Sequence, residues 1–272
     1  MTGRLPILTF HALDDVDRSA IACSPPRFAE GIETLAGLDA HTLGMGETAG
    51  RLRSGGSFPR RAFGLTFDDG YRSVHDVAFP QLLRWGLTAT VFLAVGRGRT
   101  GANDRLPSMN GRPMLSWGEI RAMHQAGLTF GAHTLTHPNL STLPPPQVRE
   151  EILDSKTRIE DALGAPVRCF AYPYGAADRE SRRVVAEHFD CACSDRLGLV
   201  HARSDMYALE RVDAYYLGTR RLFGMIFTTM FPWYLSVRNV PRVARRRLET
   251  VVRRPFTAIP GDRSHEEVVH GR

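Results

Sequence analysis

Seven short runs of apolar and β-branched residues, at 5–11, 62–67, 87–95, 127–132, 167–172, 190–194 and 208–213, alternate with stretches of helical character, and this alternation most narrows the fold. Parallel strands need a crossover between them, usually a helix, so strands and helices in turn predict an α/β chain built on a parallel sheet. Helix signals fill the gaps. Ser24-Pro25-Pro26 offers a cap followed by early prolines, and Ser116-Trp117-Gly118-Glu119 has the spacing of a capping box. Pro145-Pro146 leads into a stripe of Val148, Ile152, Ile159 and Leu163 that Gly164 stops. A length of 272 residues, 43% hydrophobic and 24% charged, suits one barrel-sized soluble core. The four cysteines, at 23, 169, 191 and 193, form no Cys-x-x-Cys motif. Cys191 and Cys193 share a face of one predicted strand and read as small core residues rather than ligands.

Chemistry-bearing residues gather where the predicted strands end. The run Ala62–Phe67 delivers two carboxylates and a glycine, Asp68-Asp69-Gly70. Neighbouring strand side chains point to opposite faces, so one carboxylate can bind a metal while the other handles a proton. After the run 127–132 comes His133-Thr134-Leu135-Thr136-His137-Pro138, whose two imidazoles fall on one face if the segment makes a single helical turn. One carboxylate and two imidazoles can hold a divalent ion and leave positions open for water and substrate. After the run 167–172, Tyr172-Pro173-Tyr174-Gly175 offers a rigid turn with an aromatic wall, able to aim a backbone N–H at a substrate oxygen. Read singly, each motif also fits an ordinary surface turn. No Gly-x-Ser-x-Gly elbow surrounds any serine.

Taken in order, Asp68-Asp69, His133-x-x-x-His137 and Tyr172-Pro173-Tyr174-Gly175 resemble the motifs of the polysaccharide deacetylase family, the NodB-type carbohydrate esterases, over about Leu5 to Val212. The resemblance implies a distorted (β/α) barrel and a metal-dependent hydrolase that removes acetyl groups from glycans. It makes Asp69, His133 and His137 the metal ligands, with Zn2+ foremost and Co2+, Ni2+ or Fe2+ as alternatives. It also makes Asp68 the base that deprotonates the attacking water, and gives the Tyr174 N–H to the oxyanion.

Two departures from that pattern matter. The arginine that many members carry at the third motif is Ala171 here, and Arg168 sits too early to replace it. The late Leu…His motif is missing near Tyr207-Ala208-Leu209-Glu210-Arg211-Val212, and His201 is poorly placed for it. The opening run, Leu5 to His11, resembles instead a subgroup acting on poly-N-acetylglucosamine exopolysaccharides, in which an early histidine stands in for the late one. His11 is therefore the candidate acid and Arg211 the candidate partner of Asp68. The expected reaction is removal of N-acetyl groups from an N-acetylated glycan or lipid-linked sugar in exopolysaccharide or cell-envelope biosynthesis. The alternatives are a degenerate barrel that binds glycan or membrane without turnover, and hydrolysis of another amide or imide.

The remaining features border this site or lie beyond it. Residues 97–115 lack a clear period and predict a long loop beside the site, and Trp117, just past it, could stack on a sugar or pack on the barrel. Tyr172, Pro173 and Tyr174 are the other candidate sugar contacts. The division expected is a barrel over 1–220 and an aromatic, Arg-rich extension over 221–272. Arg238 to Arg254 holds seven Arg and one Glu, a balance of +6 that equals the net charge of the whole chain. Residues 222–254 could accordingly rest on an anionic membrane surface as a peripheral contact, or form a barrel-packing helix with a solvated tail. Nothing predicts nucleic-acid binding. No apolar leader precedes the first strand and no stretch is long enough to span a bilayer, so a cytoplasmic protein is expected, with membrane association through 222–254 as the alternative.

Overall fold

The computed structural model describes residues 3–16, 21–97 and 104–240. All seven predicted runs contain strands. The strands are β1 (Arg4–Leu5), β2 (Ile7–Phe10), β3 (His41–Thr42), β4 (Ala62–Phe67), β5 (Thr90–Leu93), β6 (Thr129–Ala132), β7 (Cys169–Ala171), β8 (Cys191–Leu197), β9 (Val200–His201) and β10 (Leu209–Asp213). Pro6, which has no N–H to donate, divides the first run, so that β1 pairs antiparallel with β9 while β2 enters the main sheet. That sheet is parallel and runs β2-β10-β8-β7-β6-β5-β4, and pairing of β2 with β4 closes it into a seven-stranded barrel. β3 adds to the outer edge of β4.

The helices are α1 (Pro25–Gly37), α2 (Met45–Arg53), α3 (Phe79–Trp85), α4 (Trp117–Gln125), α5 (Pro145–Leu163), α6 (Arg179–His188) and α7 (Arg220–Met225). Their ends follow the sequence signals closely. At α4 the Ser116 hydroxyl accepts from the Glu119 N–H at 3.1 Å, and the Glu119 carboxylate accepts from the Ser116 N–H at 2.8 Å. At α1 the prolines alone set the start, because the Ser24 side chain makes no capping bond. Gly164 closes α5 in the left-handed region at φ 63°.

Strand alternation sorts the buried residues into two layers. Ile7, Ala62, Phe92, Cys169, Ala171, Cys191, Cys193 and Leu209 form one buried cluster, and their phase along the strands places them inside the barrel. Leu8, Phe10, Leu65, Phe67, Val91, Phe130, Phe170, Ala192 and Val212 alternate with them and pack under the helices. There Phe10, Phe28 and Phe67 meet with ring centroids 5.1–5.9 Å apart. Much of the interior is small: a Cβ on Gly131 would come within 2.5 Å of the Phe92 ring and 2.8 Å of the Cys169 carbonyl. The Cys191 and Cys169 sulfurs sit 3.6 Å apart in this layer, and burial pushes the Cys193 thiol up to about 12, consistent with packing rather than ligation.

The aromatic stretch after α7 belongs to the outer layer as well. Phe223, Ile226, Phe231 and Leu235 are buried in the same cluster as the barrel strands, and α7 packs on α1. The compact unit reaches Leu235 rather than ending at 220, the boundary expected from composition, because these apolar side chains cover the barrel's outer wall. Ser236–Arg272 form a second unit, of which 236–240 are described and helical. Most of the Arg-rich stretch expected to meet a membrane, 241–254, lies outside the described residues. Among the described residues, no helix is long and apolar enough to cross a membrane.

The crowded interior generates a stability prediction. Gly131→Ala is expected to cost about 1–3 kcal/mol in urea denaturation, and Phe92→Leu in the same chain to recover part of the loss by making room for the methyl.

Candidate metal centre and active site

Parallel strands that all start at one end of a barrel also finish at one end, and it is there that the polar residues collect. Asp68 and Asp69 follow β4, His133 follows β6, Tyr172 follows β7, Asp213 ends β10 and His11 follows β2. Around them the backbone is held in unusual conformations. Of the eight non-glycine residues with positive φ among the described residues, four line this mouth: Asp69 (74°), Thr134 (71°), His137 (59°) and Tyr174 (57°). Left-handed backbone costs an L-residue energy that the surrounding contacts must offset, and such positions concentrate at functional sites.

Three side chains converge as a ligand set. Asp69 Oδ1 lies 3.4 Å from His133 Nε2 and 3.3 Å from His137 Nε2, and the three donor atoms all fall within 4.8 Å of one another. His133 Nδ1 donates to the Ala171 carbonyl at 2.7 Å, a partner that can only accept, so its Nε2 keeps the lone pair free for a metal. The single helical turn that would bring the two histidines together does not form. Instead Thr134 and His137 adopt left-handed backbone, and the Thr134 hydroxyl accepts from the His137 N–H at 3.0 Å to hold the turn. Glu151, buried on α5, clamps the same turn by accepting from the Thr136 N–H and hydroxyl, each at 2.8 Å. Burial opposes the charge on Asp69, yet the His133 and His137 rings beside it hold the carboxyl well below the usual range. One carboxylate oxygen and two imidazole nitrogens turned toward one point fit a divalent ion.

Beside this cluster a buried ion pair crosses the barrel. Arg211 Nη1 and Nη2 donate to Asp68 Oδ1 and Oδ2, both at 2.7 Å, in a two-pronged pair. Arg211 also donates to Thr9 Oγ1 at 3.0 Å, Thr66 Oγ1 at 3.3 Å and the Ser194 carbonyl at 3.0 Å, so one guanidinium joins β2, β4, β8 and β10. Burial raises the cost of charge on Asp68, but the Arg211 charge and hydrogen bonds prevail and hold its carboxyl below the usual value. His11 Nε2 lies 3.8 Å from Asp68 Oδ2, and His11 Nδ1 lies 3.9 Å from Asp213 Oδ2. Burial pushes the Asp213 carboxyl up, against the pull of His11.

This closed parallel barrel has counterparts of known structure. The Streptococcus pyogenes deacetylase PplD in complex with acetate superposes with a TM-score of 0.70 at 22% identity, covering 77% of this chain and 92% of that one. IcaB from Ammonifex degensii gives 0.68 at 21% identity, covering 85% and 98%. At such identities the likeness is one of fold. Sequence goes further, because residues 55–188, which hold both aspartates, both histidines and the tyrosine turn, match the polysaccharide deacetylase family. The chain carries a polysaccharide deacetylase domain. Among curated proteins, a Bacillus subtilis (strain 168) protein bearing a polysaccharide deacetylase name, YxkH, is 25% identical over 211 residues, 77% of this chain and 71% of its own length. The poly-beta-1,6-N-acetyl-D-glucosamine N-deacetylase of Staphylococcus aureus (strain MSSA476) is 26% identical over 171 residues, and the match covers 60% of this chain and 57% of that protein.

Within the deacetylase domain, the residues proposed to contact sugar divide by strand phase. Tyr172 continues the outward face of Phe170, with ring centroids 5.1 Å apart, and is 1% exposed. It therefore lines the outer core and not the mouth. Pro173 is buried with it. Trp117 opens α4 in the same layer at 7% exposure, so its faces are covered by the core and unavailable to a sugar. Tyr174 alone of the four is open, at 65%, with its ring 4.8 Å from that of His137. Gly175 must follow it, since a Cβ there would fall 2.0 Å from Asp195 Oδ1. The loop beyond Arg97, described from residue 104, does border the mouth: the Leu115 N–H bonds the Gly70 carbonyl at 2.9 Å, and Arg112 pairs with Asp14 at 2.7 Å.

Asp213 is the member of this constellation that the motifs do not announce. A period-2 reading of β10 would have found it, because Arg211 and Asp213 lie two apart and share the inner face.

The ion pair sets a test in metal-free protein. Arg211→Met is expected to lose about 3–5 kcal/mol in chemical denaturation by leaving the Asp68 charge buried alone, and adding Asp68→Asn should lose less than the sum of the two single changes. Because the folded Asp68 carboxyl is lowered, its stabilisation is complete above the unfolded value of about 3.9 and is lost as pH falls through the folded one. The acid limb of the stability curve should thus be shallower in Asp68→Asn than in the natural chain.

Proposed function

We propose that the protein is a metal-dependent hydrolase that removes N-acetyl groups from an N-acetylated glycan of the poly-N-acetylglucosamine type, in exopolysaccharide or cell-envelope biosynthesis. The observation that carries this reading is the adjacency of the three-ligand cluster to an ionised Asp68 that Arg211 grips and His11 faces. Asp69, His133 and His137 would hold the ion, and a borderline ion such as zinc suits two imidazoles and a carboxylate. When bound, such an ion supplies Lewis acidity that polarises a carbonyl and makes water acidic near neutral pH.

The chain's own groups divide the remaining work. Asp68 accepts the proton of the attacking water, and its two-pronged grip by Arg211 keeps it charged and oriented. His11, between Asp68 and Asp213, gives a proton to the departing amine. The left-handed backbone at Tyr174 turns that residue over the mouth, where its N–H would face the oxyanion and its ring would wall one side of the sugar. Arg211 and His11 meet the two departures that favoured a binding-only barrel: a guanidinium reaches the base from β10, and an imidazole from β2. The staphylococcal relative named as a poly-N-acetylglucosamine N-deacetylase supports the substrate class.

Acetate release from N-acetylglucosamine oligomers by metal-reconstituted protein tests the assignment. Asp68→Asn should lower kcat about 100- to 10 000-fold, and retained activity would remove Asp68 as the base. His11→Ala should impair the N-acetyl substrate far more than an activated acetyl ester, whose leaving group needs no proton. Elemental analysis should find one ion per chain, lost in His137→Ala. A loaded chain that turns over neither substrate would favour the binding-only reading.

A further inference from the structure

The barrel's opposite end holds a second opening. Pro6 precedes β2, Arg60 and Arg61 precede β4, and Leu38 follows α1, so these residues gather at the strand starts, away from the mouth. With Gly3, Arg4, Leu199, Gly224, the stretch 226–229 and Pro232 they line a cavity of about 820 Å³. This volume is in the range of small-molecule sites. Every charged residue in the lining is an arginine: Arg4, Arg60 and Arg61. Arg61 is fixed in place, with left-handed backbone at φ 59° and its guanidinium donating to the Leu38 carbonyl at 2.7 Å. Ile226, Phe227, Leu199 and Pro232 supply an apolar wall. Beside Pro232, Met230 and Trp233 stand 56% and 64% exposed.

We infer that this cavity takes the phosphate and upper acyl carbons of an anionic phospholipid, seating the base of the barrel on a negatively charged bilayer. A free inorganic anion would use the arginines but not the apolar wall, and a neutral phospholipid would use the wall but set its headgroup cation against the arginines. An anionic amphiphile uses both. The bilayer, rather than a detached lipid, is the source that also explains Met230 and Trp233, since a large aromatic and a methionine exposed at the rim of a basic patch match the wetted apolar face of an interfacial anchor. The active-site mouth then faces away from the membrane, toward a polymer in solution. The inference is independent of the reaction assigned to that mouth.

The test is flotation of the full chain with vesicles of phosphatidylcholine alone and of phosphatidylcholine mixed with phosphatidylglycerol. Binding is expected only to the mixed vesicles, with a blue shift of tryptophan emission that Trp233→Ser abolishes while Trp85 and Trp117 remain. Arg60→Gln, at an exposed position, should weaken binding about fivefold, the effect of one basic residue near an anionic surface, with acetate release from soluble oligomers unchanged. Equal binding to both vesicle types overturns the proposal. So does binding that survives Arg60→Gln and Trp233→Ser but is lost when Arg245, Arg246 and Arg247 are changed to Gln, since the Arg-rich stretch would then be the contact. Competition by soluble glycerol phosphate as effective as that of the vesicles overturns the bilayer as the source.

Discussion

A guanidinium buried inside a barrel of small residues is the constraint on which the site depends. Arg211 is 5% exposed and Asp68 is 3% exposed, and neither charge is tolerable there without the other. Their pairing does more than cancel charge. Because Arg211 also bonds groups on β2, β4 and β8, the carboxylate position is fixed relative to four strands at once. A carboxylate whose place is set by the barrel wall does not need a loop to hold it.

The candidate metal ligands are fixed by a different device. Asp69, Thr134, His137 and Tyr174 all hold positive φ, and turn contacts rather than helix geometry keep them there. Glu151 and the Thr134 hydroxyl restrain the histidine turn, and the Ala171 carbonyl restrains the His133 ring. The Ala171 contact comes from the main chain, so it does not depend on the side chain at that position, and the guanidinium beside Asp68 comes instead from β10.

How much of this could be read in advance varies by physical cause. Strand and helix placement was legible because period and caps are local properties, and Ser116 with Glu119 behaves as its spacing demands. Asp68, Asp69, His133 and His137 were legible because strand ends of a parallel barrel share one face. Tyr172 and Trp117 were not placed correctly, since whether an aromatic faces the mouth or the outer core depends on strand phase and helix docking. The small partners Cys169 and Ala171 did carry that phase, for a narrow interior admits them and sends Phe170 and Tyr172 outward. Thr134 and Glu151 act through distances set only after folding and no motif marks them, whereas the strand phase of β10 held the signal for Asp213.

The order of the strands around the barrel has a temporal consequence. β2, the first strand of the wall, lies between β4 and β10, the last, so its two neighbours come from the early and the final parts of the barrel sequence. Until β10 emerges from the ribosome the wall has a gap, and Asp68 has no counter-charge. Closure over such sequence distances is entropically costly and late. The nascent chain therefore carries the Asp69, His133 and His137 cluster for part of its history with Asp68 unpaired, and the buried ion pair arrives in one step with the sealing of the barrel.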